Sequence, residues 1–501
     1  QRLSTLYLLL MASAETLARH GAIRSAAGIL ATYLLVRPFS DNPINTKLVP
    51  CYADRAQFRA IWDQLMSNQA LAYNEAIVAN PPKTPPPSGE TKGPMLSQYL
   101  RMRAVTDKLY KRQGKEALEK YVEIVANRLS MVTIRLRIQK AAPSTFERLN
   151  GRGVQVTTAD LVKNEVFSRS TMSQTDVGMI FSTHWEPFAR EFGAAIKGRM
   201  DRFLLPYGVI LHPRVKKSEL FVQICSYWKN LPGPLQIIED MKQYVDVFLA
   251  LECGQPSSQL DAETNKLLLR LHRLGKPLSI YAFVMRLGLA IKTEEVALEV
   301  GHAILRVIED FFFRRAVCGI ESTGVYSVFR GLWSEFVDDE NITCISADGV
   351  KSAIATRAGV AWPDDVQFKD SVIHGDLYRR KVCQFALREY ESACKGDSSS
   401  DDFAVEHVLP QTLTEDWEAL FGHEHAKLCN TWANLVPLSP NMNPSVGQGG
   451  YAQKRAAYKD SMYSSARALA TQYESWTPQT LNQRAQALAD WAVLRWPTCK
   501  P

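Results

Sequence analysis

The sequence predicts a mainly α protein with small mixed α/β regions. Apolar residues recur at three- and four-residue spacing in three long stretches, residues 106–130, 265–291 and 295–320. Strand signals are limited to a few short β-branched runs. With 501 residues, of which 46% are hydrophobic and 22% charged, the chain is typical of soluble globular proteins and too long for one ordinary core.

Three polar breaks divide the chain. A proline-rich stretch covers Asn80–Pro94, a second break covers Cys253–Ala262, and a serine-rich hydrophilic segment covers Lys395–Phe403. We therefore predict an N-terminal domain at residues 1–180, a helical middle and coupling region at 181–394, and a C-terminal domain at 395–501.

Short strands are expected between and after these helices. The β-branched and aromatic runs that predict them lie at residues 131–138, 207–212, 403–409 and 434–439. Near the end, residues 481–496 predict a packing helix because four small or apolar side chains share one face: Leu481, Ala485, Leu488 and Ala492.

Composition excludes several classes of protein. No run of eighteen apolar residues occurs, so no membrane span is expected. Nine scattered cysteines without a CxxC pair argue against a zinc ribbon or a disulfide framework and fit the reduced cytosol. The net charge of +7 permits an anionic partner such as DNA. Because the chain begins at Gln1 without methionine, we expect a fragment or a processed form.

The C-terminal domain carries a set of residues with the outline of a ββα-metal nuclease. Glu406 and His407 end one predicted strand, Asn434 begins the next, and Asn443 follows it. A histidine can take a proton from water, while carboxylate and amide oxygens suit a magnesium or manganese ion. The alternative is that His407 is a half-buried histidine at a strand end. Asn441 is a second candidate ligand.

Basic and aromatic residues follow this set at helical spacing. Lys454 and Arg455 are candidate phosphate contacts, because sequence-independent affinity for DNA comes from such side chains. Two other groups have plainer interpretations: Arg314 and Arg315 as solvated or ion-paired helix residues, and the "FGHEHAK" histidines as a surface loop.

"VEHVLPQ" and "NLVPLSPNMNPSVGQGGYAQKRAAY" resemble the C-terminal nuclease domain of GmrSD-type, modification-dependent (type IV) restriction enzymes. That domain is a His-Me finger, also described as HNH-like. The resemblance implies that His407 is the general base, that Asn434 orients its ring, and that Glu406 and Asn443 bind the metal. Ala433 stands where the family usually has glycine.

"STFERLNGRGVQVTTADLVKNEVF" and the opening "QRLSTLYLLL" resemble the signatures of that family's N-terminal domain. The opening stretch would be the tail of a DGQQR motif whose first residues precede this chain. A ParB/sulfiredoxin-like, nucleotide-handling domain is therefore implied, with Gln1, Arg2, Asn150, Arg152 and Asp160 binding the nucleotide. The alternative for the last three is a capped turn shaped by two glycines.

The expected function is a nucleotide-regulated, metal-dependent DNA endonuclease that restricts modified phage DNA in the cytoplasm. The implied cofactors are magnesium or manganese and a nucleoside triphosphate, ATP or GTP. The implied partners are double-stranded phage DNA and a second copy of the chain in a homodimer. Two alternatives remain open: an NTP-hydrolysing sensor that only nicks or binds DNA, and a toxin-like nuclease that acts on RNA or host DNA.

Overall fold

The fold is known from a computed structural model and is mainly helical, with 73% helix and 3% strand, which confirms the expected class. The chain divides into two compact units, Gln1–Leu149 and Asn150–Pro501. The structure describes residues 2–36, 45–48, 50, 54–67, 91–129, 157–168, 174–275, 277–321, 323–338, 341–342, 345–357, 359–394, 402–442, 447 and 449–499. No helix in these ranges is long and apolar enough to cross a membrane.

The described part of the first unit is built from helices and one very short antiparallel strand pair. Its elements are α1 (Arg2–Arg19), α2 (Ile23–Ile29), β1 (Leu35–Val36), β2 (Asn45–Thr46), α3 (Arg55–Met66) and α4 (Pro94–Asn127).

Helix α1 packs along α4 in this unit. Met11, Ala14 and Leu17, three residues apart, are fully buried on one face of α1. Helix α4 is interrupted at Gly114, whose φ of 80° is a conformation that favours glycine. Residues on both sides of the interruption, such as Tyr99 and Leu118, are buried in the same core.

A buried carboxylate links three helices of the first unit. Glu15 of α1 accepts hydrogen bonds from Arg103 Nη1 at 3.1 Å, from Gln64 Nε2 at 3.3 Å and from the Tyr99 hydroxyl. Burial, together with the charge of Glu15, raises the pKa of Tyr99, so this hydroxyl stays a donor. The three donors satisfy a carboxylate whose burial would otherwise be costly.

The described residues of the second unit form many helices and two small antiparallel sheets. Its first described helices are α5 (Thr158–Ser168), α6 (Gln174–Ile180), α7 (Glu186–Glu191), α8 (Ile196–Leu211), α9 (Leu220–Trp228), α10 (Pro234–Cys253), α11 (Ala262–Arg273), α12 (Tyr281–Lys292) and α13 (Leu298–Cys318). They are followed by α14 (Val325–Leu332), β3 (Val337–Asp338), β4 (Asn341–Ile342), α15 (Ala347–Ala355), α16 (Asp365–His374) and α17 (Cys383–Ala393).

The C-terminal part of this unit holds the second sheet and its surrounding helices. These elements are β5 (Ala404–His407), α18 (Glu415–Phe421), α19 (His425–Leu428), β6 (Leu435–Leu438), α20 (Tyr451–Lys459), α21 (Ser464–Gln472) and α22 (Pro478–Arg495). Strands β5 and β6 are antiparallel, with Glu406 opposite Val436 and His407 opposite Leu435.

One hydrophobic core runs through the second unit, from Ala159 to Trp496. Phe313 of α13 stacks on Trp496, just after α22, with ring centroids 3.6 Å apart. The middle and C-terminal parts of the chain therefore share a core. The three-domain division at residues 180 and 394 stays a prediction, while the observed division falls at Leu149.

A buried ionic network also connects the middle helices to α22. Arg270 donates to Glu309 Oε2 at 2.6 Å and to Glu389 Oε2 at 2.5 Å. Arg495 donates to Glu309 Oε1 at 2.9 Å and to Glu389 Oε2 at 3.2 Å, and Trp496 Nε1 donates to Glu309 Oε1 at 2.9 Å. Two arginines and two carboxylates thus neutralise each other inside the unit.

The α13 arginines are internal rather than exposed to a ligand. Arg314 is fully buried and donates to the carbonyl oxygens of Trp496 and Pro363 and to Asp365 Oδ1. Arg315 donates to the carbonyl oxygen of Ala361 at 2.5 Å. The interpretation as an ion-paired helix residue is confirmed for Arg314, whereas Arg315 is buried and donates to backbone carbonyl oxygens instead.

Most of the helices and strands predicted from the sequence are present in the structure, and one is not. The helices predicted from 265–291, 295–320 and 481–496 correspond to α11 with α12, to α13 and to α22, and the last two predicted strands correspond to β5 and β6. The strand predicted at 207–212 is wrong, because residues 207–211 belong to α8. In α8, Phe203, Leu204, Tyr207 and Ile210 are buried at helical spacing, which a short apolar run alone does not reveal. Residues 80–90, 131–138 and 395–401 lie outside the described residues.

Candidate functional site

Strand β5 presents Glu406 and His407 to opposite sides, because successive side chains of a strand alternate. Both side chains are buried, with 5% and 8% exposure respectively. The two residues therefore have different surroundings, although they are neighbours in sequence.

On the Glu406 side, helix α20 supplies a buried cation. Lys454 Nζ donates to Glu406 Oε1 at 2.8 Å and to the His407 carbonyl oxygen at 2.7 Å. The Tyr458 hydroxyl, one helical turn further, donates to the same Glu406 oxygen at 2.9 Å. Burial lowers the pKa of Lys454, and the carboxylate of Glu406 opposes this shift.

These contacts correct one expectation from the sequence and bear on a second. Lys454 was predicted to contact DNA phosphate, but its side chain is 1% exposed and its ammonium group is held inside the protein. Glu406 was predicted to bind the metal; its Oε1 accepts from two internal donors, and its role as a ligand stays a prediction. The physical reason is that a buried carboxylate requires a paired cation.

Arg455, the other predicted phosphate contact, lies half-buried on α20. Its Nε donates to the carbonyl oxygen of Ala470 at 2.7 Å and so fastens α20 to α21. Its role in DNA binding stays a prediction.

Asn434 holds the backbone that follows the histidine strand. Its Oδ1 accepts from Leu409 N at 2.7 Å and from Trp476 Nε1 at 3.2 Å. Its Nδ2 donates to the carbonyl oxygens of Leu409 at 2.9 Å and Cys429 at 2.7 Å. With two acceptor positions and two donors filled, this fully buried amide has no capacity left for an imidazole.

The expectation that Asn434 orients the His407 ring directly is therefore corrected. Asn434 fixes the turn after His407, and the neighbouring backbone contributes as well, since Val408 N donates to the Asn434 carbonyl oxygen at 2.9 Å. Its influence on the ring is through the main chain.

The His407 ring instead contacts side chains that sequence reasoning missed. Its Nε2 lies 3.3 Å from Asn430 Oδ1 and 3.5 Å from Gln411 Nε2. The Tyr378 ring meets it edge-on, with centroids 4.3 Å apart. Asn430 Nδ2 in turn donates to Asp376 Oδ2 at 3.1 Å. Gln411 is part of the "VEHVLPQ" motif and could have been proposed from it, whereas Asp376 and Tyr378 precede the predicted domain.

The electrostatic surroundings favour a neutral imidazole at His407. Burial lowers the pKa of His407 below its ordinary value of 6.5, and the nearby charge of Lys454 acts in the same direction. The hydrogen bond with Asn430 and the charge of Asp376 oppose the shift. A neutral imidazole at neutral pH can accept a proton, as a general base must.

The described residues offer a hard metal ion few ligands. No group of three or more His, Cys, Asp and Glu side chains in the described ranges could hold a metal. The "FGHEHAK" histidines, expected on a surface loop, lie instead in short helical turns: His423 in a 3-10 turn and His425 at the start of α19, where its Nε2 is 2.9 Å from the Pro410 carbonyl oxygen. Asn443 lies outside the described residues, while Asn441 is exposed.

The predicted nucleotide-binding residues are spread along the chain. Arg2 begins α1 in the first unit, and Asp160 lies in the first turn of α5 in the second, where its N–H donates to Thr157 Oγ1 at 3.1 Å. Gln1, Asn150 and Arg152 lie outside the described residues. The nucleotide pocket stays a prediction.

One comparison with known proteins concerns the region just described. Residues 362–491 match a family model described as GmrSD restriction endonucleases, C-terminal domain. The match supports a relationship to GmrSD-type restriction endonucleases and suggests nuclease activity on DNA. It begins before residue 395 and so includes Asp376 and Tyr378. No curated protein matches the chain.

Proposed function

We propose that this chain is a metal-dependent DNA endonuclease of the restriction type, with His407 as its general base. The observation that carries the proposal is a buried, neutral imidazole with an amide partner inside the segment that matches the GmrSD C-terminal domain. In the reaction His407 would take a proton from the water that attacks the phosphodiester.

The proposed cofactor is magnesium or manganese. Asn443 would supply an amide oxygen, and water would complete the coordination, as is common for magnesium in proteins. Glu406, whose Oε1 is engaged by Lys454 and Tyr458, would reach the ion only through Oε2. The bound ion would stabilise negative charge on the phosphate in the transition state.

Exposed cations for the DNA backbone lie beside the tyrosine that contacts His407. Arg379 follows Tyr378 directly and has 79% of its side chain exposed, and Lys381 is also exposed. We propose that both contact phosphate, the role first expected of Lys454. Arg379 Nε is 3.5 Å from Asp376 Oδ2, a loose pair that phosphate could replace.

Nucleotide regulation is proposed from the sequence resemblance of the N-terminal region. A nucleoside triphosphate, ATP or GTP, would bind through Gln1, Arg2, Asn150, Arg152 and Asp160. The proposed substrate is modified phage DNA, and a homodimer would allow both strands to be cut.

The test is cleavage of modified phage DNA, plain DNA of the same sequence and a matching RNA, with and without magnesium and nucleoside triphosphate. Metal-dependent cleavage of modified DNA that His407→Ala reduces by about 10²- to 10⁴-fold is the expected result. The control is His374→Ala, an exposed histidine of α16 with 65% of its side chain accessible.

Three results would redirect the proposal. Binding or nicking without double-strand cleavage would favour a sensor. Preferential cleavage of RNA or plain host DNA would favour a toxin-like nuclease. Cleavage by His407→Ala at the rate of the parent protein would remove His407 as the base.

A further inference from the structure

The segment before the nuclease strands contributes a carboxylate to the surroundings of His407. We infer that Asp376, acting through Asn430, positions the His407 ring and sets which of its nitrogens carries the proton. This inference rests on the proposed function, and it names two positioning residues that are not part of the sequence motif around His407.

The chain of hydrogen bonds has one direction. A carboxylate only accepts hydrogen bonds, so the 3.1 Å contact with Asp376 Oδ2 turns the Nδ2 group of Asn430 toward it. The amide oxygen of Asn430 then faces His407 Nε2, 3.3 Å away. Because that oxygen also only accepts, Nε2 must carry the hydrogen. The lone pair is left on Nδ1, and this nitrogen would take the proton from water.

A hydrogen bond from Gln411 would require His407 Nε2 to be an acceptor, without a hydrogen. The Nε2 of Gln411 is a donor and lies 3.5 Å from His407 Nε2, the outer limit of a hydrogen bond. The Asn430 contact is shorter and is supported by Asp376, so it decides the tautomer. Without Asp376 the Asn430 amide would be free to rotate, and the preference for hydrogen on Nε2 would be lost.

Backbone contacts hold Asp376 and Asn430 in register. Asp376 forms an isolated antiparallel bridge with Thr431, and Tyr378 N donates to the Asn430 carbonyl oxygen at 3.1 Å. Arg379 N donates to Asp376 Oδ1 at 3.1 Å. The Tyr378 ring, carried by the same segment, packs edge-on against His407. The ring is therefore held by the amide and by the tyrosine edge together.

The exposure of Asp376 separates a positioning role from a purely structural one. Its side chain is 41% exposed, and half-exposed charges of this kind contribute little to folding stability. Removal of the carboxylate should therefore change the histidine more than the stability of the fold.

The experiment uses the full chain with Asp376→Ala, Asp376→Asn and Asn430→Ala. The control is Asp370→Ala, an acid of α16 with 73% of its side chain exposed. Cleavage of modified DNA gives kcat, KM and the half-saturating magnesium concentration, and thermal unfolding gives stability. We expect kcat to fall roughly 10- to 100-fold in the two alanine variants, the scale of a misplaced catalytic group. Magnesium dependence is expected to be unchanged in both variants, and KM in Asn430→Ala, since Asp376→Ala also frees Arg379, a proposed phosphate contact. Near-parental kcat is expected in Asp376→Asn, whose amide oxygen still accepts.

A second measurement does not depend on cleavage. Nitrogen-15 NMR of protein labelled at histidine, with the His407 signal assigned by His407→Ala, reports which ring nitrogen is protonated. Hydrogen on Nε2 in the parent and loss of that preference in Asp376→Ala are expected. Hydrogen on Nδ1 in the parent, or the same tautomer in both proteins, would overturn the inference.

The two proposals can fail separately. Absence of any nuclease activity, with the expected NMR result, removes the proposed function but not the positioning pair. A parental kcat in Asp376→Ala, or a lost kcat that excess magnesium restores, overturns the positioning role while His407 remains the base. The second of these results would make Asp376 a metal ligand.

Discussion

Lys454 donates to both the Glu406 carboxylate and the His407 carbonyl oxygen, so a buried cation fixes the end of β5 from behind. The ion pair lies on the face of the strand opposite the His407 ring. It contributes to the position of His407, the proposed base, from the side opposite its ring.

Lys454→Ala is expected to lower the free energy of unfolding by about 3–5 kcal/mol, the usual cost of leaving a buried charge unpaired. Denaturant unfolding measures this, with Lys459→Ala, an exposed lysine of the same helix, as the control. A variant of parental stability that has lost only DNA affinity would restore Lys454 as a phosphate contact.

The cleavage rate is expected to hold at mildly acidic pH. The pKa of folded His407 lies below 6.5, so the neutral ring persists where an ordinary histidine is already half-protonated. A profile of kcat/KM against pH should therefore have its acid limb centred below pH 6.5. An acid limb centred above pH 7 would contradict the neutral, buried ring.

The same shift has a consequence for stability. As pH falls below 6.5 the unfolded chain binds a proton at His407 before the folded chain does, so His407 lowers stability progressively. Unfolding measured between pH 5 and 7 should be less pH-dependent in His407→Gln. Equal pH dependence in both proteins would show that burial of this ring is not linked to proton binding.

Asn434→Ala is expected to reduce stability and cleavage together. Each buried partner left unpaired by the substitution costs about 1–3 kcal/mol, and Leu409 loses both of its bonds to the amide. Thermal unfolding and cleavage assays check this, with Asn482→Ala, an exposed asparagine of α22, as the matched control. Loss of cleavage at full stability would instead indicate direct contact with the ring.

Arg379→Ala and Lys381→Ala should each weaken DNA binding with little effect on sequence preference. If each side chain neutralises one phosphate, the slope of log affinity against log salt becomes shallower by about 0.9 per substitution. Binding titrations at several salt concentrations measure the slope, with Lys266→Ala, 66% exposed on α11, as the control. An unchanged slope in both variants would place the DNA elsewhere.

Helices and strands could be predicted from the sequence where the local spacing of apolar residues determines them. Leu481, Ala485, Leu488 and Ala492 are all buried on α22 as predicted, and the runs around His407 and Leu435 form the expected strands. Strand alternation also implies that Glu406 and His407 face apart.

The side chains that surround His407 could not be predicted from local sequence patterns. Asp376 and Tyr378 come from a segment that a polar, serine-rich stretch separates from β5, and only tertiary packing brings them to the ring. The burial of the Lys454 side chain could not be predicted from the sequence either. A basic helix has the same residue pattern whether its lysine faces solvent or pairs with a buried carboxylate.

The shared core of the second unit limits which part of the chain could be expressed alone or grafted onto another protein. A fragment made of residues 395–501 would leave Arg495 and Trp496 without Glu309, and Trp496 without the Phe313 ring on which it stacks. It would also lack Asp376. Residues 395–501 are therefore not expected to fold as a self-sufficient unit, and a graft of this segment onto another scaffold must carry the helical middle of the chain with it.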